Sequence, residues 1–167
     1  ILSDIDWEKT LRYAKNFGAE PCPTDDILGI ECDILAPCAM GGILNPETIP
    51  QLRCKAVAGC ANNQLLSDQD GDELMHRGIL YAPDFIINAG GLINVTEEIS
   101  PQGYNPSVAR AKVDKLYGQL MHVYEIAQQN NCSTHRAAVS LGDYRLKCGI
   151  GKRQVSPIYH HFNGKSQ

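Results

Sequence analysis

The sequence predicts an α/β protein: part of a Rossmann-type, doubly wound parallel sheet followed by C-terminal helices. Three observations predict it. Short apolar runs such as Cys32-Asp33-Ile34-Leu35-Ala36 and Lys55-Ala56-Val57-Ala58 alternate with stretches of helical periodicity. Each run gives way at its carboxyl end to glycine, proline, small residues or amides. The second half is helical in pattern, with Val108, Ala111, Leu116, Leu120, Val123 and Ala127 recurring at threes and fours.

Taken in order, Ile1-Leu2-Ser3 reads as the end of a strand already in progress, so the chain is expected to be a fragment or cut inside a domain. Asp6 can cap a helix over 7–17 whose apolar residues Trp7, Leu11, Ala14 and Phe17 form one face, closed by Gly18. Residues 19–22 form a short strand weakened by Pro21, and 24–28 a brief helical turn. The strand over 32–36 stops at Pro37, a short helix covers 46–52, and the strand over 55–58 stops at Gly59. A helix over 68–77 is closed by Gly78. Ile79-Leu80-Tyr81 is a strand, and Phe85-Ile86-Ile87 reads as the last one, running into a helix over 90–99. One long helix is expected over 106–130 and a final one over 134–146. The division is therefore 1–100 for the sheet portion, 101–148 for the helices, and a polar, basic tail over 149–167 that is expected to be poorly ordered.

Composition excludes several function classes. A formal net charge of −4 leaves no footprint for nucleic acid. No apolar run is long enough for a membrane span, and no signal peptide is visible, so a cytoplasmic location is expected. The seven cysteines are an odd count with no Cys-x-x-Cys clip, which points to reduced thiols and to no metal site. Of the five histidines, none comes directly after a strand, and most are expected to be solvated.

In an open parallel sheet, ligands sit at the carboxyl ends of the strands. At those ends the chain places Asp4, then Ala36-Pro37-Cys38-Ala39-Met40-Gly41-Gly42, then Gly59-Cys60-Ala61-Asn62-Asn63-Gln64, then Asn88-Ala89-Gly90-Gly91. Small residues and amides let a flat polar ligand approach the backbone. Asp4 has the position of the acid that accepts the adenine-ribose hydroxyls and repels a 2′-phosphate, favouring NAD over NADP; a helix-capping carboxylate is the alternative. Asn62 and Asn63 can bind a ribose, a carboxamide or a carboxylate, or can simply cap a turn. Asn88 and the two glycines suit a polar ligand at a helix start, or plain capping.

Several segments then resemble one family. Ala36-Pro37-Cys38-Ala39-Met40-Gly41-Gly42-Ile43-Leu44-Asn45, Thr48-Ile49-Pro50-Gln51-Leu52, Ala58-Gly59-Cys60-Ala61-Asn62-Asn63-Gln64-Leu65 and the run from Tyr81-Ala82-Pro83-Asp84 through Asn88-Ala89-Gly90-Gly91-Leu92 to Val95 are similar to the leucine, phenylalanine and valine dehydrogenases. Glutamate dehydrogenases typically carry Ala-Asn-Gly-Pro where this chain has Ala61-Asn62-Asn63-Gln64.

The resemblance implies the C-terminal, NAD-binding part of an enzyme that deaminates a branched-chain or aromatic L-amino acid to a 2-oxo acid. It implies that Asp4 binds the adenine ribose, that Ala36, Pro37, Cys38 and Ala39 and Cys60, Ala61 and Asn62 line the nicotinamide end, and that Asn88 lies nearby. Asn63 would hold the substrate carboxylate, and Leu92 and Val95, three apart on a helix, would wall the side-chain pocket. The glycine-rich phosphate turn and the catalytic lysines and aspartate belong upstream in that family, in part on a separate N-terminal domain. The chain is therefore expected to carry no catalytic residue and to be inactive alone, while the intact enzyme is expected to be a homo-oligomer. The rivals are a hydroxy-acid dehydrogenase, which would need a histidine at a strand end, and a non-catalytic binding or interaction domain.

Overall fold

The computed structural model describes residues 1–150. Three parallel strands form its sheet in the order β1 (Glu31–Leu35), β2 (Arg53–Val57) and β3 (Leu80–Tyr81). The register is constant between the first two, with Glu31 beside Arg53 and Leu35 beside Val57. Two further parallel bridges, Leu2 with Pro21 and Leu44 with Leu65, lie outside these strands. The α/β class with a parallel sheet is as the sequence predicts.

Helix α1 (Trp7–Phe17) starts because Asp6 accepts the Lys9 N–H at 3.0 Å, and stops because Gly18 takes φ 63. Its expected apolar face is buried only at Ala14. Thr10 and Ala14 are buried, whereas Trp7, Leu11 and Phe17 are exposed. The element next to α1 at Leu2 is a single bridge rather than a full strand, too narrow to cover three large side chains.

The connection from β1 to β2 is a long loop ending in a 3-10 turn (Ile49–Gln51), and β2 reaches β3 through α2 (Asp68–His76). Helix α2 begins with a capping box between Ser67 and Asp70. The core under these elements gathers Leu44, Ile49, Leu52, Val57, Leu74, Ile79 and Tyr81. Arg77 closes it, its guanidinium donating to the Leu52 carbonyl at 3.0 Å and to that of Ile49.

Burial of the strands on both faces, expected from their apolar character, is not what the structure shows. Glu31 and Asp33 of β1 meet Arg53 and Lys55 of β2 in exposed ion pairs at 3.0 and 2.6 Å. The constant register aligns acids on one strand with bases on the next, so the charges compensate each other in solvent.

Two helical expectations also change. Phe85-Ile86-Ile87 is not a strand but part of a short helix, α3 (Asp84–Ile87), so Asn88 and Ala89 join two helices, α3 and α4 (Gly90–Glu98), rather than a strand and a helix. Three consecutive apolar residues fit either element, and Pro83 immediately upstream begins helices readily. The long helix over 106–130 is broken into α5 (Pro106–Val113) and α6 (Leu116–Asn130). At the break the Lys115 N–H reaches the Lys112 carbonyl, an i to i+3 bond that tightens the turn and redirects the chain.

Helix α7 (Thr134–Lys147) packs on α6 around Val123, Ala127, Ala137 and Ala138. Its first turn is anchored to the sheet unit. Thr134 donates to the Tyr81 carbonyl at 2.7 Å, Ser133 donates to Asp72 at 2.7 Å, and Arg136 forks onto both Asp72 oxygens. No helix among the described residues is long and apolar enough to cross a membrane. The tail beyond residue 150, with His160 and His161, lies outside the described residues.

Candidate functional site

The carboxyl ends of β1, β2 and β3 open into three segments that interlock. The loop after β1 and the turn after β2 are joined by the Ala61 N–H to the Pro37 carbonyl at 3.0 Å, the Gly42 N–H to Asn63 at 2.8 Å, and the Leu44 N–H to Gln64 at 2.9 Å. Two glycines make this approach possible. A Cβ at Gly59 would lie 2.0 Å from the Pro37 oxygen, and one at Gly41 would lie 2.8 Å from that of Asn62. Only hydrogen fits at either position.

Gln64 braces the turn from within. Its side chain is fully buried, and its amide nitrogen donates to the carbonyls of Gly59 at 2.7 Å and Ala61 at 3.0 Å. Asn63 sits in the left-handed region at φ 52, which asparagine tolerates better than most residues.

What holds Asn63 there is Asp84, the first residue of α3. One Asp84 oxygen accepts the Asn63 backbone N–H at 2.8 Å and the other accepts the Tyr81 hydroxyl at 2.8 Å. The Asp84 and Tyr81 side chains are both buried. Burial first, and then the neighbouring carboxylate, pushes the Tyr81 hydroxyl far above its ordinary range, so it remains a donor.

The outer edge of the turn is polar. Asn88 donates from its side-chain nitrogen to the Asn62 side-chain oxygen at 2.7 Å, tying the third segment to the second. That bond leaves the Asn62 amide nitrogen and the Asn88 amide oxygen outside it, one donor group beside one acceptor. Asn62 and Asn63 are exposed, as are Ala36, Cys38, Ala39 and Cys60, while Pro37 and Ala61 are buried beneath them. The structure thus brings together Pro37, Cys38, Cys60, Ala61, Asn62, Asn63 and Asn88.

Asp4 stands in a separate setting. Its oxygens accept the Asp6 N–H at 3.0 Å and the Lys9 ammonium at 2.9 Å, and these two contacts hold the carboxyl below its ordinary range. A cavity of about 250 Å³ adjoins it, lined by Leu2, Lys9, Thr10, Tyr13 and Phe17. Leu92 and Val95 lie on α4 with 69% and 53% of their surface exposed, two bare apolar side chains on a helix face.

Sequence reasoning gave no role to Asp84 or Tyr81, and it placed Gln64 among the strand-end amides without its buried bracing role. The error at Phe85-Ile86-Ile87 caused the first omission, because it placed Asp84 before a strand instead of after one. A usable signal was present: Pro83-Asp84 directly after an apolar strand is a helix start. One histidine also departs from the expected solvated state. His135 is largely buried, with its ring 2.8 Å from Asp68 and edge-on to Phe85.

Comparisons with known proteins converge. The model of the family described as Glutamate/Leucine/Phenylalanine/Valine dehydrogenase matches residues 6–148. The chain is 45% identical over 147 residues to leucine dehydrogenase of Geobacillus stearothermophilus, covering 88% of the chain and 40% of that protein. It is 42% identical to L-tryptophan dehydrogenase of Nostoc punctiforme, covering 87% of the chain and 41% of that protein. The crystal structure of L-tryptophan dehydrogenase from Nostoc punctiforme superposes with a TM-score of 0.82 at 42% identity, over 87% of this chain and 43% of that one. A hetero-hexameric glutamate dehydrogenase from Thermus thermophilus shares the fold, with a TM-score of 0.62 at 22% identity over 92% of this chain and 38% of that one. The chain therefore spans about 40% of the length of the curated relatives it matches.

Proposed function

Because the chain belongs to the Glutamate/Leucine/Phenylalanine/Valine dehydrogenase family, we propose that it supplies the cofactor-contacting side of an NAD-dependent L-amino-acid dehydrogenase. The substrate class is a branched-chain or aromatic amino acid, deaminated reversibly to its 2-oxo acid and ammonia. One observation carries this reading. At the carboxyl ends of three parallel strands, a turn locked from behind by Gln64 and Asp84 presents the Asn62–Asn88 amide pair outward.

The residues present fit the cofactor. The donor and acceptor left on the Asn62–Asn88 pair match a carboxamide, which needs one of each. Asp4 is held ionised and so is an acceptor for ribose hydroxyls, although those hydroxyls must share it with Lys9. Bound there, NAD supplies the hydride acceptor.

The chain's own residues position and exclude. Ala36, Pro37, Cys38 and Ala39, with Cys60 and Ala61, give a small-residue surface against which a flat ring can lie. Asn62 and Asn88 orient the carboxamide, and Asn63 holds the substrate carboxylate. Leu92 and Val95 favour an uncharged side chain in the substrate pocket. No residue of this chain is assigned proton transfer; that belongs to a partner domain, and the working enzyme is a homo-oligomer.

Calorimetry of the isolated chain tests this. Binding of NAD, tighter than NADP, is expected. A folded chain with no NAD affinity would favour the alternative, a non-catalytic interaction domain. The isolated chain is expected to form no NADH from amino acids; measurable turnover would overturn its assignment as a non-catalytic portion. In the full-length enzyme, Leu92→Ala should raise kcat/KM for larger amino acids relative to smaller ones, and an unchanged ratio would remove Leu92 from the pocket.

A further inference from the structure

All seven cysteines are free thiols in this structure, and they divide by environment. Cys32 and Cys54 are directly opposed in the β1–β2 register, but Cys54 is buried and its thiol is pushed up by desolvation. Carrying the same register beyond the strands sets Cys38 opposite Cys60. The backbone holds the two segments together there, through the Ala58 N–H to the Leu35 carbonyl at 2.9 Å and the Ala61 N–H to the Pro37 carbonyl at 3.0 Å. Gly59 presses on Pro37 beneath the pair. Above this floor both thiols are exposed, and the neighbouring Cys38 pushes the Cys60 thiol above its ordinary range.

We propose that Cys38 and Cys60 form a site of reversible oxidation, closed by hydroperoxides to an intramolecular disulfide that joins the loop after β1 to the turn after β2. Cys60 is the thiol of the pair that is pushed up, so Cys38 is assigned as the attacking sulfur and Cys60 as the resolving one. Its thiolate attacks one peroxide oxygen, the O–O bond breaks, and the departing oxygen leaves, once protonated, as water from hydrogen peroxide or as an alcohol from an alkyl hydroperoxide. The resulting sulfenic acid is attacked by the Cys60 sulfur; the S–S bond forms, the S–O bond breaks, and the hydroxyl leaves as water with the Cys60 proton. Two thiols and one hydroperoxide thus give one disulfide and two waters when the oxidant is hydrogen peroxide. The Cys32–Cys54 pair is aligned in the same way, but Cys54 is buried and Cys32 half-buried against the core, so it is expected to oxidise more slowly and serves as an internal comparison.

The effect on function rests on the reading that these two segments contact the nicotinamide end of NAD. A covalent tie between them removes the exposed thiol surface and fixes the separation of the two loops, which is expected to weaken NAD binding.

The test uses the full-length protein carrying this chain, treated with hydrogen peroxide, alkylated and mapped by mass spectrometry. A peptide pair joined through Cys38 and Cys60, lost on treatment with dithiothreitol, is expected before any Cys32–Cys54 link. Cys38→Ser and Cys60→Ser should each abolish the joined pair, with the remaining thiol of the two recovered as sulfenic or sulfinic acid. Independent alkylation of Cys38 and Cys60 at a peroxide dose that already oxidises the solitary exposed Cys148 would overturn the proposal. NAD at about ten times its Kd should slow disulfide formation roughly tenfold by occupying the site. A disulfide that forms at the same rate in a protein that does not bind NAD would leave the dithiol standing and remove the cofactor reading. NAD binding with no disulfide would do the reverse.

Discussion

The turn after β2 and the helix α4 both carry candidate ligand contacts, yet they are held in opposite ways. The turn is fastened from behind by buried polar groups: Gln64 to two carbonyls, Asp84 to the Asn63 N–H, and Tyr81 to Asp84. Its shape is set by the chain's own hydrogen bonds. Helix α4 offers Leu92 and Val95 as exposed side chains, and its Gly91 would meet nothing within 4 Å if given a Cβ. Nothing within the described residues covers Leu92 and Val95 fully. The polar candidate contacts are fixed within the chain, whereas the apolar ones are left exposed by it. This difference comes from the physics of the two interactions, since hydrogen bonds need fixed direction and hydrophobic contact needs only area.

Substitutions can break that comparison, beginning with the strongest. Gly59→Ala puts a Cβ into the Pro37 backbone, with no flexible side chain to yield. It should cost about 3 kcal/mol or more in urea unfolding, and a near-native midpoint would show that the turn is softer than its contacts suggest. Next is Asp84→Ala, which strands the buried Tyr81 hydroxyl and the Asn63 N–H together. A loss of about 2–3 kcal/mol is expected. Asp84→Asn should recover much of it, because an amide can accept from Asn63 and donate to Tyr81. In the full-length enzyme, Asp84→Asn should weaken NAD or substrate binding less than Asp84→Ala does, and equal effects would dissociate Asp84 from the site.

The anchor between α2 and α7 should respond less. Arg136, and then Ser133, hold the Asp72 carboxyl below its ordinary range against the opposing effect of burial. The stabilisation from this pair is present above the ordinary carboxylate range and disappears as pH falls through the depressed folded value. Arg136→Ala should lower the urea midpoint slightly at neutral pH, as expected for a half-exposed pair. Its difference from the unmodified chain should vanish in acid; a difference that persists would assign the effect to packing. Smallest of all, Leu92→Ala and Gly91→Ala should change stability of the isolated chain by only about 0.5 kcal/mol, and Gly91→Ala should stabilise it through helix propensity. A large loss from either would mean that α4 is packed within the chain rather than left for another surface.

Legibility of the sequence varied from element to element for physical reasons. Strands β1 and β2 were readable because each is an apolar-containing run cut off by proline or glycine. Helix α1 was readable from Asp6 and Gly18, its two caps, but its buried face was not. Periodicity states which side chains could be covered, and Trp7 and Phe17 show that covering requires a neighbour wide enough to do it. The break between α5 and α6 carries no proline or glycine, so nothing local marks it.

By itself the sequence determined the class of fold, the family, and the composition of the loops at the strand ends, because strand termination and small-residue loops are local chemistry. Only the tertiary structure decided how those loops are held. Asp84 reaches Asn63 across 21 positions, and Asn88 reaches Asn62 across 26. Cys38 meets Cys60 because a parallel register continues past the strands that set it. Each of these pairings is long in sequence and short in space, and its geometry exists only once the sheet has brought its carboxyl ends together.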